Sequence, residues 1–228
     1  MPSIPDLDLQ PTTRGDSITR RLARPRFAIR LAAILDRTGL ITLLGLLGLL
    51  GLSALPAAAA ERAIDKEVVV AASAEQVWAS WTTRDGIRSF MAPDAEVDAR
   101  VGGAFHIHFD PLAAPGSKGA DDMRYMALQA PKMLSFDWNA PPHLTETRAQ
   151  RTFVVLRFEP VDATHTRVRL HHTGWGDGGQ WDQTYAYFDR AWAAVLGNLV
   201  KRYAEGPIDW TSWMDELRKM HGQSPAAK

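Results

Sequence analysis

The chain is 228 residues long, 46% apolar, without cysteine and formally neutral, with 26 basic and 26 acidic side chains. That balance excludes a disordered polyelectrolyte, a disulfide-held miniprotein and thiol catalysis, and it supplies no overall charge for holding nucleic acid. The charge is unevenly placed, however: residues 1–60 carry seven Arg (14, 20, 21, 24, 26, 30 and 37) against four Asp (6, 8, 16 and 36). Subtracting these from the totals leaves 19 basic and 22 acidic residues, so no polybasic face is expected on the folded part.

The basic lead-in runs into the apolar stretch Leu40–Leu55 (LITLLGLLGLLGLSAL), then Pro56 and four alanines before Glu61. A cationic region, an apolar region and then small residues is the order of a secretory signal peptide, with cleavage after Ala58, Ala59 or Ala60. The apolar run makes about 24 Å of helix, against roughly 30 Å for a bilayer core. Counted through Ala60 it nearly closes that gap, so an uncleaved anchor is the alternative, and the only membrane attachment expected. The chain therefore reads as an exported, periplasmic protein: a leader over 1–60, one folded domain over 61–206, and a tail over 207–228 with a short amphipathic helix.

In the folded part, Ile64–Ala71 is a strand. Ser73 with Gln76 makes a capping box opening a short helix through Val77, Trp78 and Trp81, and Thr83 caps a second over Asp85–Met91, stopped by Pro93. Ala95–Phe109 reads as a strand bent at Gly102-Gly103 and ending in the alternation Phe105-His106-Ile107-His108-Phe109. Pro111–Asp121 is a loop longer than a hairpin needs. Met123–Leu128 with Met133–Asn139, and Arg151–Glu159 with Thr166–Thr173, read as two hairpins.

After the glycine-rich Trp175–Gly179 comes the longest element, a helix over Gln180–Glu205. Trp181, Tyr185, Phe188, Trp192, Leu196, Leu199 and Tyr203 recur at helical spacing and form one apolar stripe. Asp177 is the expected N-cap and Gly206-Pro207 the stop. One strand far ahead of a meander, and a long helix after it, predict an α+β fold: a curved antiparallel sheet wrapped around the C-terminal helix, with two short helices after the first strand.

This order resembles the START-like, helix-grip superfamily (SRPBCC), and within it the family of homologues of the activator of heat-shock-protein-90 ATPase. The matching pieces are Val70–Trp78 (VAASAEQVW) with Trp81-Thr82, then Val101–Phe105 (VGGAF), His172–Trp175 (HTGW), and Trp192 followed by Leu196–Leu199 (LGNL). They span about Ile64 to Gly206. The resemblance implies a hydrophobic cavity between sheet and helix that binds an apolar small molecule. The leader and the tail depart from the family pattern, and the leader sets a cytosolic chaperone partner apart from this chain.

Among chemical groups, His106 and His108 have the spacing of two imidazoles sharing a zinc ion. Alternation instead gives the core face to Phe105, Ile107 and Phe109, and no third ligand is identifiable, so no metal or cofactor is expected. His172 differs, because Val168, Leu170 and His172 alternate inward. It is either a ligand-binding or acid/base group or a core histidine with its nitrogens satisfied; Tyr125, Tyr185 and Asp137 are its candidate polar partners, although the same alternation turns Leu134, Phe136 and Trp138 in and Asp137 out. No nucleophile elbow, phosphate loop or nucleotide fingerprint is present.

The leading expectation is thus a binding protein for a small apolar molecule or lipid. Phe105, Ile107, Tyr125, Phe136, Trp138, Val154, Leu156 and His172 would line the sheet side, and Tyr185, Phe188 and Trp192 the helix side. Two alternatives stand beside it: a cyclase- or hydrolase-like enzyme using His172, and a co-chaperone-like interaction domain docking through Trp210, Trp213 and Leu217 of the tail.

Overall fold

The computed structural model describes residues 61–222. The expected leader, its apolar run and the cleavage points at Ala58–Ala60 lie outside the described residues. Among the described residues no helix is long and apolar enough to cross a membrane.

Strand β1 (Ile64–Val70) leads into α1 (Ala74–Thr82) and α2 (Arg84–Arg88). Both caps form as their residue types dictate. Ser73 Oγ accepts from Gln76 N–H while Gln76 Oε1 accepts from Ser73 N–H, and Thr83 Oγ1 accepts from Gly86 N–H. Next come β2 (Asp94–Val97), β3 (Phe105–His108), β4 (Gly119–Ala120), β5 (Tyr125–Gln129) and β6 (Met133–Trp138). The chain continues through a single-turn helix α3 (Thr145–Arg148), β7 (Thr152–Pro160), β8 (Thr166–Thr173), the 27-residue α4 (Gly179–Glu205) and α5 (Thr211–Met220).

The antiparallel order β1-β8-β7-β6-β5 forms the main sheet, and β2-β3-β4 forms a second. The start of β3 runs beside β5: Phe105 N–H donates to Met123 O at 2.8 Å and Tyr125 N–H to Gly103 O at 3.0 Å. This curved sheet against a long C-terminal helix is the helix-grip fold. Alternating residues of the sheet face α4: Leu134, Phe136 and Trp138 of β6, Val154, Leu156 and Phe158 of β7, and Val168, Leu170 and His172 of β8. From the helix, Phe188, Trp192, Leu196 and Leu199 are buried against them.

Four local expectations are corrected. Ala95–Phe109 is a reversal between two antiparallel strands rather than one bent strand. Gly102 takes φ 75° there, and a Cβ on Gly103 would lie 2.1 Å from Asp98 O, so the glycine pair serves a full turn. The N-cap of α4 is Gly178, at φ 69°, and no side chain caps that end. The long loop holds the short strand β4, which pairs with β3. Single-turn α3 has no counterpart in the periodicity. It docks where Thr147 Oγ1 meets Thr184 Oγ1 at 2.8 Å, and Thr184 is the one polar member of the buried stripe on α4.

The tail folds back on its own domain. Ile208 N–H donates to Ser89 O at 3.0 Å, Trp210 Nε1 to Arg88 O at 2.6 Å and Trp213 Nε1 to Phe109 O at 2.9 Å, while Leu217 is buried. The side chains expected to dock a partner are largely engaged here, although the ring of Trp213 stays 45% exposed.

Because the α1 cap is reciprocal and reached only by local groups, Ser73→Ala is expected to cost about 1 kcal/mol of folding stability, read from urea unfolding. An unchanged midpoint would mean that the cap carries no load.

Candidate functional site

Ten of the eleven side chains expected to line a ligand site do come together, but they fill the space between sheet and helix. Phe105 and Phe136 have ring centroids 4.4 Å apart, Phe105 and Tyr125 4.8 Å, Trp138 and Trp192 5.3 Å, and Phe188 stacks on Trp192 at 6.3 Å. Ile107, Val154 and Leu156 are fully buried in the same cluster. The Tyr125 hydroxyl donates to Trp81 O at 2.6 Å, and burial pushes that phenol's pKa far upward. Tyr185 is half-buried at the edge of this cluster, its ring centroid 5.3 Å from that of Trp175, and it donates to Ala63 O at 2.8 Å with the Arg62 guanidinium over its ring. Asp137 faces away from His172 and accepts from Arg124 N–H at 2.6 Å.

His172 lies at the centre of this cluster, fully buried, with Trp175, Phe188 and Trp192 around its ring. The Trp192 indole N–H, which can only donate, lies 2.8 Å from Nδ1. Nδ1 is therefore unprotonated, and the neutral ring carries its proton on Nε2, which donates to Thr152 Oγ1 at 2.7 Å. The Thr152 hydroxyl in turn donates to Trp138 O at 3.3 Å. Burial, with a smaller contribution from the neighbouring His171, pushes the His172 pKa down to about 3. Its nitrogens are satisfied by Trp192 and Thr152, so it is built as a core histidine and offers no free position to a substrate.

His106 and His108 are also turned away from the apolar face, though neither is fully exposed. His106 Nδ1 lies 3.2 Å from Glu96 Oε2, and His108 Nδ1 3.9 Å from Asp94 Oδ2. Among the described residues no group of three His, Asp or Glu is placed to hold a metal ion.

The open space lies at the rim of the sheet. A cavity of about 330 Å³ is walled by Trp138, Asn139, Pro141, Pro142 and His143 after β6, and by Tyr187 and Phe188 of α4. Phe109, Asp110 and the 117–120 segment of the long loop complete it, with Trp213 of α5. Only Trp138 and Phe188 were legible as ligand-site residues; the long loop was the sequence signal for the rest. Two adjacent wall residues carry unpaired buried atoms: Trp138 Nε1, a donor, and Asn139 Oδ1, an acceptor, have no hydrogen-bond partner among the described residues. A second depression, about 460 Å³, lies over β1, β7 and β8 and is lined by charged side chains that pair across strands, such as Asp65 with His171 and Glu67 with Arg169.

Arg148 holds the cavity's loop in place. One guanidinium nitrogen donates to Gly116 O, Gly119 O and Asp121 Oδ2 at 2.8, 2.9 and 3.0 Å, and another donates to Ala140 O. The planar fork thus ties the long loop to the segment after β6. On the far side, Trp213 reaches Phe109 O, and His221 Nε2 lies 2.8 Å from Asp110 Oδ2, so α5 straps the same rim.

The profile of the family described as Activator of Hsp90 ATPase homolog 1-like protein matches residues 71–204, more than half of the chain. Among solved structures, the Mesorhizobium loti protein MLL2253 is similar at 18% identity and a TM-score of 0.52, over 64% of this chain and 100% of its own. The Aha1 dimer from Colwellia psychrerythraea is similar at 21% identity and a TM-score of 0.50, over 64% of this chain and 98% of that one. At such identities the likeness speaks for the fold. No curated protein matches the chain.

The His172 site gives a pH dependence. In the unfolded chain the imidazole titrates near its ordinary value of about 6.5, whereas the folded one resists protonation down to about 3. The unfolded state therefore gains protons first, and stability falls as pH drops from about 6.5 toward about 3. This residue is expected to contribute up to about 1.4 kcal/mol of loss per pH unit in that window, and His172→Gln to lack the increment. Urea unfolding of both proteins near neutrality and in mild acid measures the difference. Equal losses would mean that the native imidazole titrates normally.

Proposed function

The chain belongs to the Activator of Hsp90 ATPase homolog 1-like family, and on that basis we propose that it is a binding protein for a small, largely apolar molecule. Family membership alone leaves ligand binding and co-chaperone-like docking both open. The observation that favours binding is the rim cavity, whose wall carries five aromatic side chains, Phe109, Trp138, Tyr187, Phe188 and Trp213. Its volume, about 330 Å³, falls at the small end of the roughly 300–1,000 Å³ of ligand sites. Burial of an apolar body there contributes at about 25 cal/mol per Å², and polar side chains of the wall give orientation.

In this reading the ligand sits beside the aromatic cluster rather than inside it. Trp138 and Phe188 belong to both, while Phe105, Phe136, Trp192 and His172 support the wall from behind. A catalytic role for His172 is disfavoured because its two nitrogens are occupied by Trp192 and Thr152. We further propose that residues 1–60 direct export, on the strength of their basic, apolar and small-residue order.

Mass spectrometry of the protein exported from its host tests both proposals. A native spectrum is expected to carry a bound small molecule, and the denatured mass to correspond to cleavage near Ala58–Ala60. Removing wall rings then locates the site. Tyr187→Ala and Trp213→Ala, both at partly exposed positions, are expected to weaken capture about tenfold with little loss of stability. Trp192→Ala, in the sealed core, is expected to cost roughly 3–5 kcal/mol of stability. Undiminished capture by both rim variants would place the ligand elsewhere.

A further inference from the structure

The walls of the rim cavity are fastened in two different ways. The inner walls are fixed: Trp138 and Phe188 belong to the buried cluster, and Arg148 with Asp121, side chains 14% and 12% exposed, ties the loop wall to the segment after β6. Bonds in such surroundings have little water to take their place when they break. The outer wall is α5, and its hold is weaker. It buries one of its ten residues, Leu217, whereas α4 buries Thr184, Phe188, Trp192, Leu196 and Leu199. Its charged groups pair within the helix, Arg218 with Asp215 and Lys219 with Glu216, both at 2.7 Å.

Among the described residues two hydrogen bonds join α5 and its C-cap to the rim, from the Trp213 indole to Phe109 O and between His221 Nε2 and Asp110 Oδ2. Trp213 is 45% exposed, and the side chains of His221 and Asp110 are 31% and 28% exposed. Water can replace both bonds as they break, so lifting α5 strands no polar group in a dry interior and uncovers chiefly Leu217. The root is fastened apart from the rim: Ile208 N–H and Trp210 Nε1 donate to Ser89 O and Arg88 O, at the end of α2. A helix of ten residues has little stability of its own in water, so these contacts hold α5 in place.

We infer that α5 is a lid. It leaves the rim about its root at residues 208–210 while the sheet and α4 stay folded, and a molecule in the cavity holds it down through the Trp213 ring. The inference rests on the binding reading above and adds to it the means by which the site opens and closes. A molecule held by Trp213 favours the closed form, and occupancy therefore suppresses opening. His221 fastens the lid but does not line the cavity, so its removal reaches a bound molecule only through α5.

Hydrogen exchange of the purified full-length protein, read by peptide mass spectrometry, tests it with the neutral fluorescent probe N-phenyl-1-naphthylamine. In the free protein the amides of α5 are expected to exchange at least about tenfold faster than those of α4 between Phe188 and Leu199. At ten times its Kd the probe should slow exchange in α5 about tenfold, the factor for a molecule that binds the closed form alone. In His221→Ala, release of the probe followed by fluorescence should quicken about threefold, the scale of one rim hydrogen bond, with exchange in α4 unchanged. Exchange in α5 as slow as in α4, exchange in α5 indifferent to bound probe, or unaltered release from His221→Ala overturns the lid and leaves the binding reading standing. Failure of the probe to bind overturns the binding reading, and the lid with it.

Discussion

The bond from the Trp192 indole to His172 is the constraint on which the arrangement of helix and sheet depends. Apolar contact holds α4 against the sheet, but it is non-directional and tolerates sliding and rotation of the helix. An indole N–H aimed at one imidazole nitrogen does not. If α4 turned or shifted, both Trp192 Nε1 and His172 Nδ1 would be left unpaired in a water-free interior, at roughly 1–3 kcal/mol each. The relay continues through Thr152 to the carbonyl of Trp138, so the position of the helix and the orientation of the cavity wall are set by one set of bonds.

This explains why the space for a ligand lies where it does. Between sheet and helix, Phe105, Phe136, Trp138 and Trp192 interlock with centroids 4.4 to 6.4 Å apart, which is interior packing. Packing of that kind stops where the chain leaves regular structure. At the ends of β3 and β6 the chain passes into loops that cannot interdigitate as strands do, and there Arg148 substitutes hydrogen bonds for apolar contact. The cavity is the gap between a close-packed core and a loop held at a distance by one guanidinium.

Much of the fold was legible because its signals are local. Ser73 and Gln76 are three residues apart, the inward set of β8 follows a period of two, and Phe188, Trp192, Leu196 and Leu199 follow the helical period. The turn at Gly102-Gly103 was harder, since a glycine pair marks a bend without stating its angle; pairing of Val97 with Phe105 completes the reversal. For the site, periodicity told which side chains face inward but not whether the interior is filled. Tyr187 lies off the helical stripe, Asn139 follows the last strand residue, and Trp213 arrives from more than a hundred residues beyond Phe109. Such positions become neighbours only through the fold, and no local pattern marks them.

The strap formed by α5 has a consequence in time. A chain made from its amino end presents the sheet and the long helix before residues 211–220 have emerged, so the core has its full set of partners while one wall of the cavity is still missing. Completion of the cavity then follows that of the core, and a protein interrupted after Gly206 would keep its sheet and long helix yet have an open-sided cavity. Stability and ligand retention are therefore assigned to different ends of the same polypeptide.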